Sequence, residues 1–253
     1  MLNRSVFLKP IAHRGLHSEI KGLVENSSGA FIAAINKGYG IECDVRPIQN
    51  GYPVIFHDKT LERLVGTEQL LSTLTTSDLQ KVQYKTGGET ILTYKDFLAI
   101  VSGRVPVLAE IKSDWRTPDI KFLSEIARLS LDYQGPLAFM SFDPDIVTVL
   151  RELATEIPRG IVSGGAHDPE EGIWSEDNLD TERIKSLANL EENYGIDPSF
   201  YAYEVHSLAN NLNLRFLREV KQIPIFAWTI RNFQELEISN TFADAPIFEG
   251  FEP

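Results

Sequence analysis

Three short segments near the start of the chain each carry charged or titratable residues at an apolar run. The first run ends in His13 and Arg14, the second contains Glu42 and Asp44, and the third ends in His57. Residues two apart in a strand project from the same face, so the two carboxylates lie side by side. Neighbouring carboxylates repel unless a positive charge lies between them, and a hard divalent cation with oxygen ligands is the usual partner. The spacing therefore predicts a divalent metal site.

The two histidines would lie beside that metal site, because both follow the ends of neighbouring strand-like runs. Imidazole changes its charge near neutral pH, so a pair of histidines can act as general acid and general base. Oxygen ligands favour Mg²⁺ or Ca²⁺ over zinc. A later apolar run ends in Glu110 and Lys112, again two positions apart and on one face.

The composition excludes several other classes of protein. The 253 residues carry a net charge of −12, so the surface as a whole does not attract nucleic acid or an anionic membrane. An anionic substrate would have to be drawn by local charge, such as a metal, Arg14 or Lys112. The single cysteine, Cys43, excludes an internal disulfide and a thiolate zinc cage. It lies between two acids but on the opposite face of the strand, which predicts a buried packing residue.

The N-terminal residues 1–10 have no long apolar core. We therefore expect neither a signal peptide nor a transmembrane span, and we expect a cytoplasmic protein without membrane insertion. No feature of the sequence indicates an oligomeric state.

The elements that must position these residues form a regular alternation of strands and helices. Eight apolar runs have strand character: residues 10–12, 39–45, 105–112, 137–142, 159–162, 200–205, 225–230 and 245–248. A further short run, 54–56, follows an Asn50-Gly51 turn signal and extends the second strand. Helical patterns separate the eight runs, which predicts a parallel sheet, and the count of eight predicts a single-domain TIM barrel over residues 1–253.

Two helical predictions concern less regular parts of the chain. Residues 59–92 are a loop-rich excursion in which we expect one short helix near Ser77 and Asp78. The spacing of Leu212, Phe216 and Val220 predicts a helix after the sixth strand.

A TIM barrel places its reactive groups at the C-terminal ends of its strands. The histidines, carboxylates and basic residues named above all obey this rule. Three further residues also do: Glu204 and His206 end the sixth strand, and Trp228 lies late in the seventh. Trp228 is typical of a pocket wall.

Taken together, these segments resemble the motifs of the glycerophosphodiester phosphodiesterase family. The shared motifs occur in the family's order: residues 13–15, 25–27, 42–44, 51–58, 110–112 and 228–229. The resemblance implies a TIM barrel that binds one divalent cation and hydrolyses a small anionic phosphodiester to glycerol 3-phosphate and an alcohol. The nucleophile it implies is the substrate's own neighbouring hydroxyl, giving a cyclic phosphate that water then opens.

The resemblance also implies a role for each matching residue. Glu42, Asp44 and Glu110 would bind the metal, and His13 and His57 would form the acid–base pair. Arg14 and Lys112 would hold the phosphate, with Trp228 beside the substrate. The chain departs from the family pattern after Asp44, where it reads Arg46 to Asn50, and the segment 59–104 is compact. Both differences leave the substrate's head group open.

Other interpretations compete with these. The first alternative is a lyase of the sphingomyelinase D type, which stops at a cyclic phosphate. The second is a barrel hydrolase of an uncharged ester or amide, which would not need both Arg14 and Lys112. The third is a non-catalytic binding module on the same scaffold. Lys112 could merely pair with Glu110.

Several polar residues have an ordinary structural explanation: Asn26 as a helix cap, and His17, His167 and His206 as loop residues bonded to the backbone. Glu25 could support the site or lie on the surface. Arg46 shares the face of Asp44 and could either reach the substrate or be exposed.

Overall fold

A computed structural model describes residues 1–166, 174, 179–193 and 195–253. Eight parallel strands form a closed barrel: β1 (Ile11–Ala12), β2 (Gly40–Pro47), β4 (Val107–Ile111), β5 (Leu137–Ser141), β6 (Arg159–Ser163), β7 (Phe200–Glu204), β8 (Ile225–Ile230) and β9 (Ala245–Phe248). The barrel closes at β1, where Ile11 pairs with Gly40 of β2 on one side and with Ile247 of β9 on the other. The predicted TIM barrel is confirmed.

A short strand lies outside the parallel set. This strand, β3 (Pro53–Ile55), pairs antiparallel with β2, and the pairing of Val45 with Ile55 brings the end of β3 beside the end of β2. The backbone N–H of Phe56 donates to the carbonyl of Asp44 at 3.0 Å. The next residue, His57, therefore lies at the mouth of the barrel.

Helices cover the outside of the barrel. They are α1 (Arg4–Phe7), α2 (Ser28–Lys37), α3 (Tyr94–Val101), α4 (Ile120–Leu131), α5 (Pro144–Leu153), α6 (Thr181–Ala188), α7 (Val205–Leu208), α8 (Leu212–Glu219) and α9 (Phe233–Phe242). Their starts follow ordinary capping chemistry: Ser27, Thr93 and Asp143 accept from the first-turn N–H groups of α2, α3 and α5. Every helix in the described part of the chain falls short of the length and apolar character needed to cross a bilayer.

The barrel has separate inner and outer cores because strand side chains alternate between its two faces. On β2, Ile41, Cys43 and Val45 pack outward against the helices. The inner face of the barrel is filled by residues such as Leu108, Met140, Val162, Phe200 and Phe226. A third cluster, from Val24 to Ile91, forms under the excursion between β3 and α3 and includes Leu61, Leu71 and Tyr84.

The predicted short helix near Ser77 and Asp78 is wrong. The Asp78 carboxylate accepts from the backbone N–H of Thr75 at 2.9 Å and from its hydroxyl at 2.6 Å. Residues 76–81 form successive turns, with Lys81 N–H donating to the Asp78 carbonyl at 2.9 Å. Two short 3₁₀ turns, Gln49–Gly51 and Leu71–Thr73, are the regular helical structure within the described stretch 48–92.

The predicted helix that contains Leu212 and Phe216 is confirmed as α8, but its apolar stripe faces solvent. Leu212 is 78% exposed and Phe216 49% exposed. Leu214 and Leu217 supply the face that packs against the core. The helix carries apolar residues on two faces, so the spacing alone predicted the helix and left the buried face undetermined.

Candidate active site

A polar pocket of about 360 Å³ opens at the C-terminal end of the barrel. Seven of the eight residues predicted for the site line it: His13, Arg14, Glu42, His57, Glu110, Lys112 and Trp228. The eighth, Asp44, has no exposed surface and lies beneath them, in contact with Arg14 and Lys112. The structure therefore brings all eight predicted residues together.

Three carboxylates form a compact cluster at the base of this pocket. One oxygen from each of Glu42, Asp44 and Glu110 lies within 4.8 Å of the others. The register explains their proximity, since Asp44 pairs directly with Glu110 across β2 and β4, and Glu42 lies two residues earlier on the same face. All three are buried, with exposures of 1%, 0% and 6%.

Two basic side chains lie against the carboxylate cluster. Lys112 Nζ is 2.9 Å from Asp44 Oδ1 and 2.5 Å from Glu110 Oε1. Arg14 Nε is 3.2 Å from Asp44 Oδ2, and the backbone N–H of Arg14 donates to Glu42 Oε2 at 2.9 Å. Three negative groups thus face two positive groups, so the cluster keeps an excess of negative charge.

The pKa values of these groups follow from burial and from this charge arrangement. Burial, together with the charges of Asp44 and Glu110, raises the pKa of Glu42 well above its usual range. Burial also acts to raise the pKa of Asp44, but the positive charges of Lys112 and Arg14 outweigh it and hold that pKa well below the usual range. Asp44 is therefore the carboxylate that its neighbours keep ionised.

The donor set of this cluster fits a hard divalent cation. Its ligand atoms are carboxylate oxygens, which suit Mg²⁺ or Ca²⁺. Glu42 Oε1 is buried and receives no hydrogen bond from the described part of the chain. A buried acceptor left without a donor is costly, and a cation beside it would relieve both that cost and the repulsion that raises the Glu42 pKa.

His13 is held by a carboxylate that the sequence analysis did not identify. His13 Nδ1 lies 2.6 Å from Glu249 Oε2, and Glu249 Oε1 accepts from Arg231 Nε at 2.8 Å. Burial alone would raise the pKa of Glu249, but the hydrogen bond with His13, the nearby His17 and the charge of Arg231 lower it. Glu249 directly follows β9, so the rule that reactive groups sit at strand ends could have found it.

His57 has a similar partner, the carboxylate of the residue that follows it. Its Nδ1 lies 2.7 Å from Asp58 Oδ1, and Arg63 Nε donates to Asp58 Oδ2 at 2.8 Å. Burial and the charge of Lys112 lower the pKa of His57, which favours its neutral form. The pKa of Asp58 falls to about 2: burial opposes this change, but hydrogen bonds from His57 and Arg63 outweigh it.

Arg63 also joins the two halves of the site. Its Nη1 and Nη2 each donate to Glu25 at 2.7 Å, and Glu25 Oε1 accepts from Arg14 Nη1 at 3.0 Å. Glu25 is therefore an ion-pairing residue next to the pocket. Asn26 is buried, and its Nδ2 donates to Asp44 Oδ2 at 2.7 Å, so the predicted capping role is wrong. The cap of α2 is Ser27, one residue later.

Aromatic side chains form part of the pocket lining. The rings of Phe142 and Trp228 meet edge to face at 5.5 Å, and Phe142 meets Trp174 in the same way at 5.8 Å. Trp115 adds a further ring at the rim, 6.3 Å from Trp174. The prediction of Trp228 as part of a pocket wall agrees with this placement, while Trp115 and Phe142 were not identified from the sequence.

The other polar residues named in the sequence analysis have varied positions. Arg46 is 9% exposed, lines the pocket, and donates from Nε to the His57 carbonyl at 2.5 Å. His206 is mainly exposed, and Glu204 caps α7 by accepting from the N–H groups of His206 and Ser207. His167 lies outside the described residues.

Comparisons with known proteins agree with this architecture. A solved glycerophosphodiester phosphodiesterase from Thermotoga maritima superimposes with a TM-score of 0.70 at 23% identity, covering 96% of this chain and 94% of that one. A phosphodiesterase from Oleispira antarctica, solved in complex with the product sn-glycerol-3-phosphate, also has a TM-score of 0.70, at 21% identity over 95% and 92% of the two chains. These likenesses show the shared barrel fold.

Curated relatives match the chain in part. A glycerophosphodiester phosphodiesterase of Caldanaerobacter subterraneus subsp. tengcongensis is 35% identical over 111 residues, which cover 41% of this chain and 44% of the relative. A probable glycerophosphodiester phosphodiesterase 1 of Mycobacterium tuberculosis is 35% identical over 75 residues, covering 29% and 26%. The chain thus matches less than half the length of each of these relatives.

A search against known families aligns residues 13–244 with the glycerophosphoryl diester phosphodiesterase family. The aligned range begins at His13 and contains every residue of the predicted site. It extends over most of the 253 residues, from the residue after β1 to the residue before β9. With the closed barrel and the acidic cluster at its mouth, this match shows that the chain belongs to the glycerophosphoryl diester phosphodiesterase family.

Proposed function

We propose that this protein hydrolyses glycerophosphodiesters to glycerol 3-phosphate and an alcohol, using one divalent cation, Mg²⁺ or Ca²⁺. The observation that carries the proposal is the meeting of the three-carboxylate cluster with His13 and His57 in one pocket. A phosphodiester needs charge stabilisation and proton transfer at the same phosphorus, and this pocket offers groups for both. Family membership and the product-bound Oleispira antarctica phosphodiesterase support this substrate class.

The metal would be held by Glu42, Asp44 and Glu110. When bound, such a cation supplies polarisation of a phosphoryl oxygen and neutralises developing charge. Arg14 and Lys112 lie at the edge of the same cluster and would hold the remaining phosphate oxygens, Arg14 through its planar fork and Lys112 as a point charge. A hydrolase of uncharged esters would not need the two positive side chains of Arg14 and Lys112.

The two histidines would divide the proton transfers. Burial and Lys112 lower the pKa of His57, so His57 would be the base that takes the proton from the attacking hydroxyl. His13 would be the acid that gives a proton to the leaving alkoxide. The attacking hydroxyl would belong to the substrate itself and would neighbour its phosphate group. The cyclic phosphate formed would then be opened by water, with the two histidines exchanging roles.

The test is a panel of glycerophosphodiesters assayed with EDTA and after restoration of Mg²⁺ or Ca²⁺. We expect glycerol 3-phosphate as the product, activity that EDTA abolishes, and loss of activity in Glu42→Gln. Glu219→Gln, an exposed change on α8, is the matched control and should behave as wild type. Phosphorus NMR of the products completes the test. A cyclic phosphate as the final product would identify a lyase, and absence of cleavage across the panel would refute the proposal.

A further inference from the structure

The two nitrogens of the His13 ring face different surroundings. Nδ1 lies 2.6 Å from Glu249 Oε2, while Nε2 points toward the carboxylate cluster and lies 3.9 Å from Glu42 Oε2. Only Nε2 is therefore directed to where a phosphodiester would bind. In neutral imidazole one nitrogen is a donor and the other an acceptor, and the hydrogen bond made by one nitrogen decides the state of the other.

The register of the sheet places Glu249 beside His13. β1 and β9 are neighbours in the barrel, with Ala12 paired to Phe248. The backbone N–H of His13 donates to the carbonyl of Phe248 at 2.9 Å. The residues that follow these two strands, His13 and Glu249, therefore leave the barrel side by side. Their contact results from closure of the barrel and does not depend on a long loop.

Glu249 is itself held from more than one side. Its Oε1 accepts from Arg231 Nε at 2.8 Å, and its Oε2 lies 3.5 Å from His17 Nε2. Its side chain is 19% exposed. A carboxylate fixed at both oxygens has little freedom to rotate away, so it presents Oε2 to His13 Nδ1 in a defined direction.

We propose that Glu249 is the positioning residue for His13: it accepts the Nδ1 proton, fixes the ring, and so makes Nε2 the atom that exchanges a proton with the substrate. This inference rests on the proposed function of His13. In the neutral ring, an Nδ1–H donated to Glu249 leaves the lone pair on Nε2. In the protonated ring, Nδ1–H keeps its partner and Nε2–H is the proton available to the leaving alkoxide.

The kinetic test compares Glu249→Gln with Glu249→Asp. In Glu249→Gln the amide can either accept from Nδ1 or donate to it, so both tautomers of His13 are allowed. The shorter side chain of Glu249→Asp keeps the charge but moves the carboxylate oxygen away from Nδ1. We expect kcat to fall on the order of 10²-fold in each, with KM changed by less than about threefold, because loss of a correctly placed acid or base acts on the transition state. Calorimetric affinity for Mg²⁺ or Ca²⁺ should match wild type.

Glu252→Gln is the matched control, because Glu252 lies on the same terminal segment but pairs with Lys37 and Tyr39 away from the pocket. It should keep wild-type kcat. Circular dichroism and the melting temperature will show whether each variant folds. If Glu249→Gln does not fold, Glu249→Asp provides the kinetic comparison.

A readout independent of turnover is the ¹⁵N NMR signature of His13. We expect the wild-type neutral ring to carry its proton on Nδ1 and Glu249→Gln to show a mixture of tautomers. A folded variant with kcat within twofold of wild type, or a neutral wild-type ring that carries its single proton on Nε2, would overturn the inference. If instead wild type cleaves no phosphodiester, the proposed function fails. The His13 tautomer would still show whether Glu249 determines which ring nitrogen carries the proton.

Discussion

At the scale of single residues, each histidine of the pocket has a carboxylate partner and each carboxylate has an arginine. His13 contacts Glu249, which Arg231 binds, and His57 contacts Asp58, which Arg63 binds. Burial and the charge of Lys112 lower the pKa of His57, which favours its neutral form. The neutral form is the one that a general base requires.

The two roles can be separated by changing the leaving group. We expect His13→Ala and His57→Ala each to lose on the order of 10²–10⁴-fold in kcat/KM on a glycerophosphodiester. A p-nitrophenyl phosphodiester has a leaving group that needs little protonation, so it should restore activity to His13→Ala and not to His57→Ala. Steady-state kinetics on both substrates provide the measurement. Equal rescue of both variants would show that acid and base are wrongly assigned.

Residues inside recognisable motifs could be predicted from the sequence, and their partners could not. All eight predicted site residues meet at the barrel mouth because strand ends converge there. Glu249 was missed because it lies outside the recognisable motifs, and its place directly after the last strand was the one signal that pointed to it. Arg63 was missed because its importance comes from Glu25, which is 38 residues away in sequence. Such contacts depend on three-dimensional closure.

At the scale of elements, the inner packing of the barrel depends on close contact between neighbouring strands. Gly160 of β6 pairs with Phe200 of β7, and a Cβ atom at Gly160 would overlap the Phe200 ring. Phe200 is fully buried and also packs edge to face on Phe226 at 5.4 Å. Because Gly160 has no side chain, the Phe200 and Phe226 rings can pack together inside the barrel.

We expect Gly160→Ala to lower the free energy of unfolding by about 1–3 kcal/mol, the usual cost of overfilling a packed core. Phe200→Leu should also destabilise, because it leaves a cavity. The double variant should be less destabilised than the sum of the two changes, since the smaller side chain makes room for the added methyl group. Urea denaturation of the four proteins measures this coupling. Strict additivity would contradict the packing described here.

Element type was easier to predict than element orientation. The alternation of apolar runs and helical patterns correctly predicted eight strands because a parallel barrel buries both faces of each strand. The same reasoning did not tell which face of α8 is buried, since Leu212 and Leu214 are equally apolar but face opposite directions. In the excursion, the Asp78 carboxylate accepts two hydrogen bonds from Thr75, and residues 76–81 continue as turns without forming a helix.

At the scale of the whole molecule, the position of the acidic cluster would couple metal binding to stability. Glu42, Asp44 and Glu110 come from two adjacent strands of the barrel, so a cation bound to all three would hold those strands together only in the folded state. At a metal concentration 100 times Kd, such binding adds about 2.7 kcal/mol to the free energy of unfolding.

We therefore expect Mg²⁺ or Ca²⁺ to raise the melting temperature by about 5–10 °C over an EDTA-treated sample. The triple variant Glu42→Gln, Asp44→Asn, Glu110→Gln should melt at the same temperature with and without metal. Differential scanning calorimetry measures both. An equal rise in the triple variant would place the metal elsewhere.

Cys43 lies between Glu42 and Asp44 in sequence but faces the helix layer, fully buried. Burial and the neighbouring carboxylates raise the pKa of its thiol well above the usual range, and the thiol is the chain's single cysteine. Alkylating reagents attack thiolates, so they reach Cys43 only when β2 separates from the helices. The labelling rate of the native protein thus measures how often β2 opens. Because β2 carries two of the proposed metal ligands, a bound cation should slow the labelling.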